Sequence, residues 1–145
     1  MWCVNKESTM KKIICMLVCM PICSLVQASQ CSIDGFSAPE MRLGNYYRSQ
    51  SATSFNISCD HGYSIVFNSQ NLASPYGKSF VSNGPYKLRT QLNIQGTKEN
   101  LWGVPLNQQA SQNHKFIISV QLEDNPLKGV PAGTYRDRIS VNISF

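Results

Sequence analysis

The most regular alternation of apolar and polar residues lies in the last stretch of the chain, residues 129–145. Its apolar members are Ile139, Val141, Ile143 and Phe145, and the residues between them are polar. Residues two apart lie on the same face of a β-strand, so the pattern predicts a strand with one apolar face. Each such side chain contributes roughly 1.5–3 kcal/mol if it is fully buried. A strand of this kind at the end of a chain needs a partner on both sides, or it remains an edge on which another chain can pair.

The rest of the chain has the same character. Short alternating runs are separated by Gly, Pro, Asn and Ser, and no stretch carries a convincing 3.6-residue apolar period. This pattern is typical of an all-β sandwich or barrel. We expect six main strands, at residues 32–36 (continued by an extended edge at 38–44), 52–59, 63–67, 86–94, 114–122 and the closing stretch. Residues 101–104 are expected to form either a seventh short strand or a bend, whereas 68–84, with a brief contact at Phe80 and Val81, and 107–113 are expected to be loops.

The N-terminal residues predict a secretory signal peptide. Lys11 and Lys12 precede an apolar run, and compact residues stand at Val26 and Ala28, which predicts cleavage after Ala28. A transmembrane anchor is the alternative, but about 16 residues from Ile13 to Ala28 fall short of the roughly 20 that span a bilayer. Residues 1–9 are interpreted as an upstream extension. Residues 29–145 then form one exported domain.

Only two cysteines, Cys31 and Cys59, lie in this domain. An even pair in an exported protein predicts a disulfide, with two free thiols as the alternative. The bond would close a loop of about 29 residues, worth about 3.5 kcal/mol in the chain-entropy model.

Charge and chemistry narrow the function classes. After removal of residues 1–28, ten basic and seven acidic residues remain, which gives a net charge of about +3. The basic residues are dispersed along the chain, so no cluster of Lys and Arg indicates a nucleic-acid-binding surface. Asp60, His61 and His114 are residue types that ligate zinc, but we interpret them as ordinary polar residues at the protein surface. Since no nucleophile motif or phosphate-binding loop occurs, we expect neither an enzyme nor a cofactor or metal.

The closing stretch also carries a family resemblance. It contains Gly133-Thr134-Tyr135, then Asp137, then alternating β-branched residues that lead to an aromatic end. In this it resembles the C-terminal signature of spore coat protein U domains, the pilin domains of archaic, Csu-type chaperone–usher pili. Cys31, residues 55–59 with the second cysteine, and residues 86–88 followed by 101–103 agree with the resemblance, which covers nearly all of residues 31–145.

The resemblance implies an immunoglobulin-like sandwich that lacks its last strand. The gap would be a groove lined by Ile139, Val141, Ile143 and Phe145. It implies three partners: a periplasmic chaperone that fills the groove first, an outer-membrane usher, and a neighbouring pilin subunit whose N-terminal donor strand replaces the chaperone. It places the protein first in the periplasm and then on the cell surface or secreted, with a structural or adhesive role.

One departure from the family bears on position in the pilus. If cleavage follows Ala28, only Ser29 and Gln30 precede Cys31, too few to span a groove at about 3.3 Å per residue. We therefore expect a subunit that accepts a strand but hardly donates one, at a tip or terminal position. The alternative is a non-polymerising secreted coat or matrix protein with a complete sheet. For adhesion, the loops that carry Tyr46, Tyr47 and Tyr76 are the candidates, with packing under a loop as the other explanation.

Overall fold

The computed structural model describes residues 30–145, and these residues form an all-β fold. None of them belongs to a helix that could cross a membrane. The predicted signal peptide and its cleavage site lie outside the described residues. Eight strands occur in chain order: β1 (Cys31–Asp34), β2 (Gln50–Cys59), β3 (Tyr63–Ser69), β4 (Lys78–Asn83), β5 (Tyr86–Gln95), β6 (Leu106–Gln108), β7 (Ser111–Leu122) and β8 (Ile139–Ser144).

The strands form two antiparallel sheets. The larger sheet has the order β1-β2-β7-β5-β4, and the smaller one has the order β6-β3-β8. Their inner faces meet in an aromatic core centred on Phe67 of β3. Its ring centroid lies 6.4 Å from Phe55 and 5.8 Å from Phe116 of the larger sheet, and 6.1 Å from Trp102. The predicted β-sandwich is therefore confirmed.

The core faces follow the alternation in the sequence. In β7, Phe116, Ile118, Val120 and Leu122 are buried and the residues between them are half-buried. In β5, Leu88, Leu92 and Ile94 are buried together with Thr90, the one polar residue in that row. A strand between two packed neighbours thus has the burial pattern that a period of two predicts.

The predicted disulfide between Cys31 and Cys59 is present. The two cysteines are directly opposite each other in the β1–β2 ladder, so the bond fixes the first strand to the second. The ladder is extended by Gln30, whose carbonyl accepts a hydrogen bond from the Asp60 backbone N–H at 3.3 Å. The described part of this ladder therefore includes the residue immediately before the first cysteine.

The structure differs from the predicted strand count in two segments. The supposed loop at residues 68–84 contains the complete strand β4, and the supposed loop at 107–113 contains parts of β6 and β7. In β4 the buried position is polar, Ser79, so no apolar alternation marks the strand. Its order comes from pairing with β5 across a tight turn at Gly84, which has a φ of 58°.

Two further segments lie outside the sheets, and at residues 101–104 the structure has the bend rather than the strand. Residues 101–104 form a loop that buries Trp102, and residues 38–44 run outside the sheets while Met41 and Leu43 pack against the core. In both segments the apolar side chains fill the core without ladder pairing. Apolar residues in these segments therefore contribute to the core without belonging to a strand.

Candidate functional site: the free edge of β8

Strand β8 lies at the edge of the smaller sheet. It pairs antiparallel with β3 from Ser64 opposite Ser144 to Ser69 opposite Ile139. Within residues 30–145 no strand pairs with its other side. In the described part of the chain β8 is therefore an edge strand that pairs on one side only.

The register shows which backbone groups of β8 point to the free side. The Phe67 carbonyl of β3 accepts a hydrogen bond from the Gly103 N–H at 2.7 Å, so Phe67 directs its backbone groups away from β8. Just beyond the strand end, the Gln70 N–H donates to the Arg138 carbonyl at 2.8 Å. Since hydrogen-bonded and non-hydrogen-bonded pairs alternate along an antiparallel ladder, the even-numbered residues of β8 bond to β3. The odd-numbered residues direct their N–H and C=O groups to the free edge.

The side chains of the same odd-numbered residues face the core. Ile139, Val141 and Ile143 are half-buried and pack against the core cluster, whereas Ser140, Asn142 and Ser144 are exposed. Each of the three apolar residues therefore has an incompletely covered side chain and backbone groups without a ladder partner in the described part of the chain. An additional strand would satisfy both at once.

Phe145, the fourth residue predicted to line the groove, lies beyond the end of β8 and is 67% exposed. Its ring meets the ring of His61, in the β2–β3 turn, edge to face at a centroid distance of 5.6 Å. The structure thus brings three of the four predicted residues together in one strand and places the fourth at the strand's end.

The side chain of Asp137, two residues before β8, fixes the position at which the chain enters this strand. Asp137 Oδ2 lies 2.6 Å from Ser69 Oγ and 3.1 Å from Ser79 Oγ, and its Oδ1 accepts from the Asn71 and Arg138 backbone N–H groups at 3.2 and 2.8 Å. Ser69 ends β3 and Ser79 belongs to β4, so the carboxylate connects the two sheets. Hydrogen bonds to a charged acceptor are stronger than neutral ones.

We call these hydrogen bonds of the Asp137 carboxylate the Asp137 clamp. Neighbouring backbone and side-chain contacts extend it. Ser82 and Arg136 form an isolated antiparallel bridge between β4 and the segment before β8. The Asn71 Nδ2 donates to the Phe80 carbonyl at 2.9 Å. Sequence reasoning gave Asp137 no role of its own, although the Gly-Thr-Tyr-x-Asp pattern marked its position.

The residues weighed for a zinc site are engaged elsewhere. The His61 ring contacts the Asp60 carboxylate, and the hydrogen bond from His61 holds the pKa of that carboxyl below its usual value. His114 Nε2 lies 2.7 Å from the Gly96 carbonyl. Among residues 30–145, no group of three or more His, Cys, Asp or Glu side chains is placed to hold a metal.

The tyrosines considered for adhesion are all strongly exposed. Tyr46, Tyr47 and Tyr76 are 61%, 52% and 71% exposed, so none of them is packed under its loop. Tyr47 lies beside Arg48, whose guanidinium carbon is 5.3 Å from the tyrosine ring centroid. Both residues line a depression on the outer face of the larger sheet.

No family model and no curated protein matches the chain. In structure, it is similar to a chain in the crystal structure of the CsuC–CsuE chaperone–tip adhesion subunit pre-assembly complex from the archaic chaperone–usher Csu pili of Acinetobacter baumannii. The TM-score is 0.53 at 19% identity, over 81% of this chain and 40% of that chain. At this identity the likeness shows the fold alone, and this chain spans less than half the length of the other. A second similar structure, the E. coli Hda pilus minor tip subunit HdaB, has 15% identity over 79% of each chain, and its TM-score of 0.39 carries no argument.

Proposed function

We propose that this protein is a subunit of a chaperone–usher surface pilus and that the free edge of β8 accepts a strand from another protein. The observation that carries the proposal is the double role of Ile139, Val141 and Ile143, whose side chains face the core while their backbone groups face the free edge. The fold likeness to a chain of a chaperone–tip adhesion subunit complex supports it.

Strand addition suits this edge on physical grounds. A strand laid beside β8 would form hydrogen bonds with the odd-numbered residues, each worth about 0.5–1.5 kcal/mol net. Its alternate side chains would cover the half-buried apolar row, which adds roughly 25 cal/mol for each Å² removed from water. Backbone pairing supplies affinity in this mode of recognition, and the pockets between side chains supply specificity.

The proposal includes a sequence of partners. After export through the inner membrane, a periplasmic chaperone occupies the edge and keeps it from aggregating. At the outer-membrane usher, a strand from a neighbouring subunit replaces the chaperone. The assembled subunit is then displayed at the cell surface in a structural or adhesive role.

We further propose a tip or terminal position for the subunit. If the signal peptide is cleaved after Ala28, Ser29 is the only residue ahead of Gln30, and Gln30 already bonds to Asp60 as an extension of the β1–β2 ladder. Such a mature N-terminus could not reach a neighbour's groove. N-terminal sequencing of the exported protein tests this step, and a start well before Ser29 would contradict it.

Co-expression tests the main proposal. The chain is produced in the periplasm with and without the chaperone of a chaperone–usher system from its own source, and soluble yield and complex formation are measured. We expect a stable complex with the chaperone and aggregation or proteolysis without it. A soluble monomer that does not bind the chaperone would instead support the alternative, a non-polymerising secreted coat or matrix protein.

A further inference from the structure

A depression of about 510 Å³ opens on the outer face of the larger sheet, where β2 begins and β7 ends. Its lining is mostly polar and includes Tyr47, Arg48, Arg89 and Gln121. Because β8 belongs to the other sheet, this surface is separate from the free edge.

A row of polar side chains crosses four strands on this outer face, and two of its members, Gln121 and Lys78, form part of the floor of the depression. Gln50 of β2, Gln121 of β7, Gln91 of β5 and Lys78 of β4 follow one another in register. Residues opposite each other in a ladder share a face, and the burial of Leu122 directs Gln121 outward. The Gln121 amide makes no hydrogen bond within residues 30–145, so it can both donate to a ligand and accept from one.

A constrained turn holds Tyr47 and Arg48 at the side of this floor. Arg48 has a φ of 61°, in the left-handed region that non-glycine residues rarely adopt. The turn is fixed by Ser49, which is fully buried. Its Oγ donates to the Gly44 carbonyl at 2.9 Å, and its own carbonyl accepts from the Leu122 N–H at 3.0 Å. An unfavourable backbone conformation that its surroundings maintain is a feature found often at binding sites.

Among residues 30–145, one cation at the depression makes no ion pair. Lys78 pairs with Glu123 at 2.8 Å, and Arg89 pairs with Asp124 through Nε at 2.9 Å and Nη2 at 2.6 Å. In the part of the chain that the structure describes, Arg48 has no ion pair, and its guanidinium lies over the Tyr47 ring. A guanidinium in this state is suited to a ligand carboxylate, which it can bind with two parallel hydrogen bonds.

We propose that this depression binds a saccharide that carries a carboxylate, as uronic and sialic acids do. The exposed Tyr47 ring offers an apolar face for a sugar ring, Arg48 binds the carboxylate, and the Gln121 amide bonds to hydroxyls. The Glu123 carboxylate, which is already paired with Lys78, can accept hydrogen bonds from sugar hydroxyls, and the side chains of an acidic peptide carry no hydroxyls. The mostly polar lining makes an apolar ligand a poor fit.

Isothermal titration calorimetry of the exported protein, in complex with its chaperone where one co-purifies, tests the proposal. The probes are trigalacturonate and 3′-sialyllactose, which distinguish a polysaccharide uronate from a sialylated glycan. Galactotriose and lactose are the matched neutral sugars, and triglutamate is the acidic peptide. We expect binding of at least one acidic sugar, and at least tenfold weaker binding of each neutral sugar and of triglutamate.

Single substitutions test whether the acidic sugar binds in this depression. Arg48→Asn removes the cation but keeps a residue that tolerates a left-handed backbone, so the turn is retained. We expect it and Tyr47→Ala to weaken acidic-sugar binding at least tenfold, with thermal unfolding and chaperone capture unchanged. Arg42→Gln and Tyr86→Ala, both exposed and outside the depression, are the controls and should bind as the parent does.

Four outcomes would overturn the proposal: no binding of either acidic sugar, equal binding of the neutral sugars, equal binding of triglutamate, or undiminished binding by Arg48→Asn and Tyr47→Ala. Chaperone capture reports on β8 instead. Failure of capture with intact sugar binding would therefore contradict the pilus proposal and leave this one supported.

Discussion

Val141 lies opposite Phe67 in the β3–β8 ladder, and the backbone groups of these two residues point away from each other. The Phe67 carbonyl points away from β8 and accepts a hydrogen bond from the Gly103 N–H of the same chain. Val141 directs its backbone groups to the side where no described strand lies. On the Phe67 side of this pair the backbone groups are bonded within the chain, whereas on the Val141 side they are available to another strand.

This division predicts that charge on β8 is tolerated on one face only. Val141→Asp places a carboxylate in the half-buried row, where an added strand would have to desolvate it, so we expect capture by a chaperone to be lost. Asn142→Asp places the same charge on the exposed face, and capture should persist. The measurement is the yield of subunit–chaperone complex after co-expression, and equal yields from the two variants would contradict the assignment.

A milder substitution separates capture from folding. Ile143→Val removes one methyl group from the row and should cost about 0.5–1.5 kcal/mol of complex stability. Since the chain should still fold, the loss would be visible as a shorter lifetime of the complex in a displacement assay. An unchanged lifetime would indicate that the added strand does not cover Ile143.

The Asp137 clamp predicts a loss of stability that does not depend on any partner. Asp137→Ala leaves the Ser69 and Ser79 hydroxyls without their charged acceptor between the sheets, and both serines are buried. We expect a loss of about 2–3 kcal/mol in the free energy of unfolding. Chemical denaturation measures it, with Asp34→Ala in the exposed part of β1 as the control.

The sequence predicted the strands that are ordered by apolar packing and missed the strand that is ordered by pairing with its neighbour. Strands β5 and β7 were predicted because their alternate apolar residues enter the core, whereas β4 was missed because its order comes from pairing and from a buried serine. On β8, the period of two predicted which side chains face inward. It could not predict which backbone groups remain free, because that is set by the register in which β8 pairs with the distant strand β3.

The cross-strand pair Ser79 and Thr90 predicts opposite effects of two similar substitutions. Both residues are buried and lie opposite each other in the β4–β5 ladder. Ser79 Oγ bonds to Asp137, but Thr90 Oγ1 has no hydrogen-bond partner within residues 30–145. A buried polar atom without a partner is costly, so Thr90→Val should raise the free energy of unfolding by about 1 kcal/mol. Ser79→Ala should lower it, and loss of stability in Thr90→Val would show that the hydroxyl is satisfied.

The contact between Arg89 and Asp124 predicts a specific dependence of stability on pH. Arg89 donates to this carboxylate through its side chain and also through its backbone N–H at 2.7 Å. The side-chain hydrogen bond is the main reason that the pKa of Asp124 lies below its ordinary value of 3.8 in the folded protein. A carboxyl whose pKa is lowered by folding stabilises the protein above its unfolded pKa. It loses that contribution as the pH falls through the folded value.

Arg89→Gln should therefore reduce stability at neutral pH and have little effect under strongly acidic conditions, where Asp124 is protonated in both states. NMR titration of the Asp124 carboxyl carbon gives the direct measurement, and we expect the variant's pKa to move up towards 3.8. Lys87→Gln, an exposed change on the same strand that leaves the pair intact, is the control. If the Asp124 pKa stayed low in Arg89→Gln, the backbone N–H rather than the guanidinium would be holding the charge, because that bond survives the substitution.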